Sequence, residues 1–176
     1  HFRAFESIAE GICGCTDKVV ISFLDCYGKT KRNMRGIPLE TPDEEIMKRT
    51  GERFAKTAEK YGMTVESCAE TVDLSEVGVR HGSCVDPAMI ERILGVPVRV
   101  KKDKNQRPEC GCVESVETGA YDTCLCGCKY CYANDSEGAV MRRRAEYDVH
   151  APLLCGRVEE GDRITVRRTS RILTGE

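Results

Sequence analysis

The chain has 176 residues, with 27 basic and 29 acidic side chains and a formal net charge of −2. Hydrophobic residues make up 40% and charged residues 32%, a globular composition rather than a disordered one, and the length suits one domain or one and a part. Such balanced charge argues against attraction of the whole surface to nucleic acid or membrane, no apolar run approaches the roughly 18 residues a membrane span needs, and no signal peptide is expected.

Phe2, Phe5, Ile8 and Ala9 stand at helical spacing from the second residue on. The sequence is therefore expected to enter mid-helix and to be a fragment of something longer. Lys18 to Leu24 (KVVISFL) is a continuous apolar and β-branched run, expected as a strand buried on both faces. Asp25 and the GKTKRN segment from Gly28 are expected as a loop after it. Thr41-Pro42-Asp43-Glu44 predicts a helix start with Thr41 as N-cap. Ile46, Met47, Phe54, Ala58 and Tyr61 mark the apolar stripe of that helix, and Gly62 suits the position past its end. Met63 to Cys68 (MTVESC) predicts the next strand, and Asp86-Pro87 a capped helix through Leu94 that Gly95 ends.

Alternating strands and helices predict an α/β fold. Its form is either βα units of a partial, TIM-like barrel, the whole of which takes about 250 residues, or a small open parallel sheet. Residues 1–97 are expected as the partial barrel core, its N-terminal part missing, and residues 98–176 as a cysteine-rich, iron–sulfur-binding extension packed on it. Within the extension, VRVKKDKNQR from Val98 carries five basic residues and one acid. AVMRRRAEY from Ala139 predicts a short basic helix, which Asn134 is expected to cap, and DRITVRRTSRI from Asp162 predicts a final strand.

Six of the 12 cysteines fall between Cys110 and Cys131. Their C-x-C and C-x-C-x-C-x-x-C spacings set thiols too close for several unstrained local disulfides. Reduced thiols, a reducing cytoplasmic setting and metal binding are the expectation. Cys124, Cys128 and Cys131 are spaced C-x3-C-x2-C. Three thiolates on a tight loop can hold three irons of a 4Fe–4S cubane and leave the fourth open to a small molecule. Zinc is the alternative, with Cys126 closing a four-thiolate shell. Tyr130 and Tyr132 flank Cys131 and are expected to shield a cluster and tune its potential.

The Cys110/Cys112 pair cannot complete a site alone. Cys68, at a predicted strand end, and Cys84, in the RHGSCVDP loop with His81 nearby, would close a second four-thiolate site with it. Alternatively Cys68 and Cys84 are buried small hydrophobes. Cys13, Cys15, Cys26 and Cys155 are expected to carry no chemistry, and Glu114, Ser115 and Tyr121 to shape the loop rather than touch a ligand.

The basic groups Arg99 to Arg107, Arg142 to Arg144 and Arg167/Arg168 would suit a phosphate-bearing or nucleic-acid partner. Isolated basic runs on a near-neutral chain are ordinarily solvated faces, however, and no aromatic-interleaved stacking platform accompanies them. The GKT at Gly28 lacks the glycine frame of a phosphate loop, and three histidines without a nucleophile elbow give no hydrolase triad.

The segment ECGCVESVETGAYDTCLCGCKYCYAND closely resembles an uncharacterised bacterial family, domain of unknown function 1848. Members of that family end in C-x-C-V-E-S, G-x-Y and T-C-x-x-x-C-x-Y-C-Y-A-N. The likeness extends upstream through VISFLD, SCAETVDL, RHGSCVDPAMIERILGVP and KKDKNQRP, and downstream to LLCGRVEEGDRIT. Members are longer at the N-terminus, so the resemblance implies that this chain is their C-terminal half, with the missing N-terminal half as its partner. The cysteine block is in turn similar to the cluster loop of radical S-adenosylmethionine enzymes, including Y-C-Y as in spore photoproduct lyases. That likeness implies a 4Fe–4S cluster on Cys124, Cys128 and Cys131 whose open iron is chelated by S-adenosylmethionine. It further implies an electron donor and an enzyme that makes a 5′-deoxyadenosyl radical, the cofactor carrying the hard chemistry. The alternative is a non-enzymatic protein stapled by zinc or a closed iron–sulfur site.

Overall fold

The computed structural model describes residues 1–39 and 41–166. Along the chain run α1 (Phe2–Gly11), β1 (Lys18–Ile21), α2 (Gly28–Asn33), α3 (Glu44–Lys60), β2 (Thr64–Ser67), a 3-10 turn (Ser75–Val77), β3 (Val79–His81), α4 (Pro87–Leu94) and α5 (Glu137–Ala145). These fall into two compact units, residues 1–24 with 41–115 and residues 25–39 with 116–166.

In the first unit β1, β2 and β3 make one parallel sheet in sequential order, with Val19 beside Val65 and Val65 beside Val79. Side chains alternate across a sheet. Val19, Ile21, Val65 and Val79 therefore share the face that packs with Ala9, Met47, Ala58, Met63 and Leu74. Gly51 lets α3 settle on this face, since a Cβ there would stand 3.2 Å from Val79 Cγ2. Phe54 of α3 stacks on Phe5 of α1 at 4.2 Å. The other face bears charge: Lys18 Nζ lies 2.9 Å from the Glu66 carboxylate and 2.7 Å from that of Asp86. With this ion-paired face and only β2 beside it among the described strands, β1 is half-buried along its length, where burial on both faces is the expectation.

A parallel sheet is thus found, but not a closed barrel: β1 and β3 each have one neighbour among the described strands. Asp43, not Thr41, caps α3, its Oδ1 accepting the Ile46 N–H at 2.8 Å. A capping side chain reaches a donor two or three residues on, and Thr41 stands too far ahead of the first turn. Asp86 caps α4 as expected, accepting the Ala88 N–H at 2.9 Å. Gly62 and Gly95 take φ of 73° and 69° past their helices, the conformation that favours glycine there. After α4, residues 101–103 run antiparallel to 112–114: the Asp103 N–H donates to Cys112 O at 3.0 Å and the Glu114 N–H to Lys101 O at 2.8 Å. KKDKNQRPECGC is therefore a hairpin, and it carries Cys110 and Cys112 back to the sheet unit.

In the second unit α2 replaces the loop expected at GKTKRN. Its Lys29 Nζ reaches Tyr132 O at 3.1 Å and Asp135 Oδ1 at 2.6 Å, contacts between residues about a hundred positions apart that no local pattern announces. The expected basic helix is α5, but Ser136 rather than Asn134 caps it, its Oγ accepting the Ala139 N–H at 3.1 Å. The predicted final strand does not form over residues 162–166, where Ile164 and Val166 are 76% and 94% exposed. An alternating run becomes a strand only with a ladder partner, and this one has none among the described residues. The rest of that run, with Arg167 and Arg168, lies outside the described residues. No helix of the described residues is long and apolar enough to cross a membrane.

Candidate metal centres

All twelve cysteines are free thiols, and the chain carries them in two main groups. The first forms at the C-terminal end of β2. Cys68 continues the ladder beyond Ser67, its N–H donating to Ile21 O at 3.1 Å, and the two-residue alternation sets it on the Glu66 face, opposite the apolar core. Ala69 then turns the chain with a φ of +60°, uncommon for a residue with a Cβ. Cys84 comes from the loop between β3 and α4, and Cys110 and Cys112 from the hairpin.

Cys68 Sγ lies 3.9 Å from the Sγ of both Cys110 and Cys112. The thiols of Cys68, Cys84 and Cys112 all lie within 4.8 Å of one another. Cys68, Cys110 and Cys112 are buried and Cys84 is exposed, with Val20, Ala69 and Val85 packed around them. Of the four residues that the spacing nominates for a second site, the structure brings Cys68, Cys84 and Cys112 together and sets Cys110 beside Cys68, outside that trio. His81 stands exposed at the end of β3 and is not among the converging ligand atoms.

Close backbone approach explains the glycines here. A Cβ on Gly111 would stand 3.0 Å from Gly82 O and 3.4 Å from Ser83 Cβ, and one on Gly82 would collide with the Glu66 carboxylate. Cys112 Sγ accepts the N–H of Cys84 at 3.2 Å and of Val85 at 3.4 Å. Burial pushes the Cys112 thiol up. The Val85 N–H, the Cys110 thiol, the Cys84 N–H and the Cys68 thiol outweigh burial and hold it below the usual thiol range. Burial raises Cys68 and pushes Cys110 up to about 11. Cys112 is thus the sulfur most ready to give up its proton to a cation, beside Cys68 and Cys110 that burial holds above the usual thiol range.

The second group lies in the unit of α2 and α5. Gly127 turns the cysteine loop with a φ of 63°, and the Cys131 N–H donates to Cys128 O at 3.0 Å. Asn134 straps the loop rather than capping the helix: Nδ2 donates to Cys124 O at 2.6 Å and its N–H to Cys131 Sγ at 3.3 Å. Asp122 Oδ1 accepts the Asp135 N–H at 2.5 Å, which ties the two loop ends. A cavity of about 470 Å³ opens beside them, walled by Cys124, Cys128 and Cys131 with Gly127, Lys129, Asn134, Ser136 and Met141 among others; Cys126 is not on its wall. Asn134 Oδ1 is buried without a partner among the described residues.

The N–H and thiol of Cys126 hold the exposed Cys124 below the usual thiol range, and Cys126 is raised in return. Tyr130 and Tyr132 are 53% and 67% exposed, so neither ring is a buried lid; the Cys128 thiol beside the Tyr130 hydroxyl raises it. Tyr121 is exposed, and Glu114 and Ser115 stand at the exposed end of the hairpin.

The two groups differ in what they can hold. Thiolates about 2.3 Å from a tetrahedral ion stand about 3.8 Å apart, close to the 3.9 Å at Cys68. No other trio of His, Cys, Asp or Glu among the described residues converges as closely as Cys68, Cys84 and Cys112. No trio of the loop thiols falls within that spacing, which leaves room for a cluster of several irons. Sequence reasoning did not find the N–H donors of Cys84 and Val85 or the strap from Lys29. Both depend on which distant segments the sheet and loop bring together.

The model of a family described as Domain of unknown function (DUF1848) matches residues 1–133. That span includes both cysteine groups and stops ahead of α5, leaving LLCGRVEEGDRIT beyond it, and it does not bear out the reading of the chain as a C-terminal half. No curated protein and no solved structure matches.

Proposed function

The chain belongs to the DUF1848 family, and from that premise we propose that it is a metal–thiolate protein of the radical S-adenosylmethionine type, with Cys124, Cys128 and Cys131 holding a 4Fe–4S cluster. One observation carries this reading: the three cysteines of C-x3-C-x2-C wall a single cavity from which Cys126 is absent. Three ligands facing open space suit a cluster with one accessible iron, whereas a closed zinc shell would bring the fourth thiol to the same wall. When bound, the reduced cluster supplies the electron that cleaves S-adenosylmethionine to methionine and a 5′-deoxyadenosyl radical.

The chain's own residues would bind and orient. Asn134 lines the cavity and straps the loop around it, so it would hold the cluster loop in shape against a bound ligand. Lys129 on the same wall offers a cation to a carboxylate. Tyr130 and Tyr132 would close against the outer side of the cluster once it is seated. Low-potential thiolate chemistry would suit a reducing, cytoplasmic setting and a partner that donates electrons. The sequential parallel βα units are those a TIM-like barrel repeats, and we extend the proposal to that architecture. The second reading, a structural zinc closed by Cys126, draws on the contact of Cys126 with Cys124.

Protein purified without oxygen tests these readings through iron, sulfide and zinc content and the electron paramagnetic resonance of the reduced state. About four irons per cluster and a spectrum altered by S-adenosylmethionine are expected. Iron blind to that ligand would remove the enzyme and leave the cluster. Zinc on the loop would remove both.

A further inference from the structure

We propose that Cys68, Cys84, Cys110 and Cys112 bind one zinc ion in a closed tetrahedral site whose role is structural. The site is chemically separate from the cysteine loop, and its assignment does not rest on what that loop binds.

Sulfur spacing is the first ground. Cys68 Sγ stands 3.9 Å from two partners, the separation that one tetrahedral ion imposes on its thiolates, about 3.8 Å. A cubane would hold its thiolates apart by its own width. All-sulfur tetrahedral coordination is the province of zinc and iron, and a single ion in a shell of four protein ligands leaves no open position for substrate.

Charge is the second. Four thiolates around a divalent cation leave an excess of negative charge, which backbone N–H groups must offset. The Cys84 and Val85 N–H groups already point at Cys112 Sγ, at 3.2 and 3.4 Å. The third ground is connectivity. Three segments far apart in sequence end at these sulfurs: the end of β2, the loop before α4, and the hairpin. The apolar core packs on the other face of the sheet. The hairpin meets the loop before α4 through the Val113 N–H, which donates to Val85 O at 3.1 Å, and through Gly111 pressed against Gly82. An ion here would clip all three segments together, and the exposed Cys84 gives it an entry path.

The test uses the full chain with Cys124, Cys128 and Cys131 all changed to Ala, so that the loop cannot contribute. This variant is expected to retain one zinc per chain and no iron. Cobalt exchanged into it should show the intense sulfur-to-metal charge-transfer and visible bands of a tetrahedral thiolate, and zinc should abolish them. Because a buried cysteine variant can fail to fold, Cys84→Ser, at the exposed ligand, is the second probe: zinc affinity should fall about tenfold or more and the cobalt bands should shift. A loop variant without zinc, weak octahedral cobalt bands, or an unchanged spectrum in Cys84→Ser would each overturn the proposal. Ferric–thiolate or iron–sulfur absorption in the loop variant would overturn the assignment to zinc. Failure of the cluster reading would appear elsewhere, as wild-type protein without iron whose loop variant still holds zinc.

Discussion

Cys68, Cys110 and Cys112 are buried, whereas Cys124, Cys126 and Cys128 stand at the surface, and the difference follows from how each group is held. At the sheet end, β2, the loop before α4 and the hairpin converge directly on the sulfurs, and backbone N–H groups donate to Cys112. In the loop Cys131 Sγ accepts the Asn134 N–H, Cys124 meets the N–H and thiol of Cys126 and Cys128 meets the Tyr130 hydroxyl, all near the surface, while the remaining bonds that shape the turn run around the sulfurs: Asn134 to Cys124 O, Asp122 to the Asp135 N–H, and Lys29 to Asp135. The first arrangement gathers Cys68, Cys84 and Cys112 within 4.8 Å of one another and sets Cys110 beside Cys68 before any ion arrives. The second fixes a backbone and leaves three of the four thiols exposed, where a larger guest can meet them beside a cavity. Preorganised sulfur suits structure, and free sulfur beside open space suits chemistry.

The strongest way to break this comparison is to remove metal from one group at a time. Structural zinc in small domains contributes on the order of 10 kcal/mol of binding free energy that is also folding free energy. Stripping the sheet-end ion with a strong chelator is therefore expected to give the largest loss of thermal stability, read by circular dichroism. Destroying iron on the loop with oxygen should leave that melting transition in place. Equal losses from both treatments would mean that the two groups are alike.

Glycine substitutions sharpen the comparison at smaller scale. Gly111 is needed for space, since its Cβ would press on the Gly82 carbonyl at 3.0 Å; Gly127 is needed for its torsion, with φ of 63° and nothing within 4 Å. Gly111→Ala is expected to cost about 2 kcal/mol in urea unfolding and to weaken zinc binding. Gly127→Ala should cost about 1 kcal/mol, and Gly127→Asn, which tolerates left-handed backbone, should recover most of it. Gly111→Asn should recover nothing.

How much of this the sequence disclosed depended on the range of the interaction. KVVISFL, MTVESC, the helix between them and the Asp86-Pro87 start are local patterns, and the structure holds them with boundaries moved by a few residues. The pairing of Cys110 and Cys112 with Cys68 and Cys84 was legible because parallel strands end at one edge and a C-x-C pair must seek further ligands. The burial of β1 falls short of expectation because an apolar run encodes neither its place at the end of the described sheet nor the ion pairs of Lys18 with Glu66 and Asp86. GKTKRN is polar enough to read as a loop, yet it forms a helix whose Lys29 finds its acceptors only through the tertiary fold. Asn134 and Thr41 failed as caps for a local reason: Ser136 and Asp43, each two residues later, stand where the donors of the first turn are.

Acid distinguishes the sheet unit by a third route. Lys18 holds the Asp86 carboxyl below its ordinary value, with the Ala88 N–H assisting. A lowered carboxylate contributes stability above its unfolded value, about 3.9, and loses it as pH falls through the lower folded value. Hydrogen bonding to Asp86 raises Lys18, so that contribution is full below about 10.4 and is lost only as pH climbs past the raised folded value. Between these limits the pair gives a plateau. Asp86→Asn in metal-free protein is expected to cost about 1.5 kcal/mol at neutral pH. Its urea midpoint should converge with wild type in acid, where Asp86 itself is protonated. A constant offset at all pH values would mean that the cap, not the charge, carries the effect.

The smallest expected effect is the most selective. Asp43→Ala and Ser136→Ala each remove one N-cap bond, at 2.8 Å to the Ile46 N–H and 3.1 Å to the Ala139 N–H, and each should cost about 1 kcal/mol. Their consequences should nevertheless diverge. Asp43 starts the helix that covers the apolar face of the sheet, opposite the side of Cys68, so its loss lowers stability and leaves both metals in place. Ser136 starts α5 and stands on the wall of the cavity beside Cys124, Cys128 and Cys131, one residue after the Asp135 that Lys29 and Asp122 fasten. Fraying that turn loosens the strap at Asn134. Ser136→Ala should therefore lose iron faster than wild type on exposure to a chelator while its zinc content stays unchanged. If both variants shed iron at the wild-type rate, the loop's hold on its guest lies in the thiols alone, and the contrast between a fixed backbone and free sulfurs no longer stands.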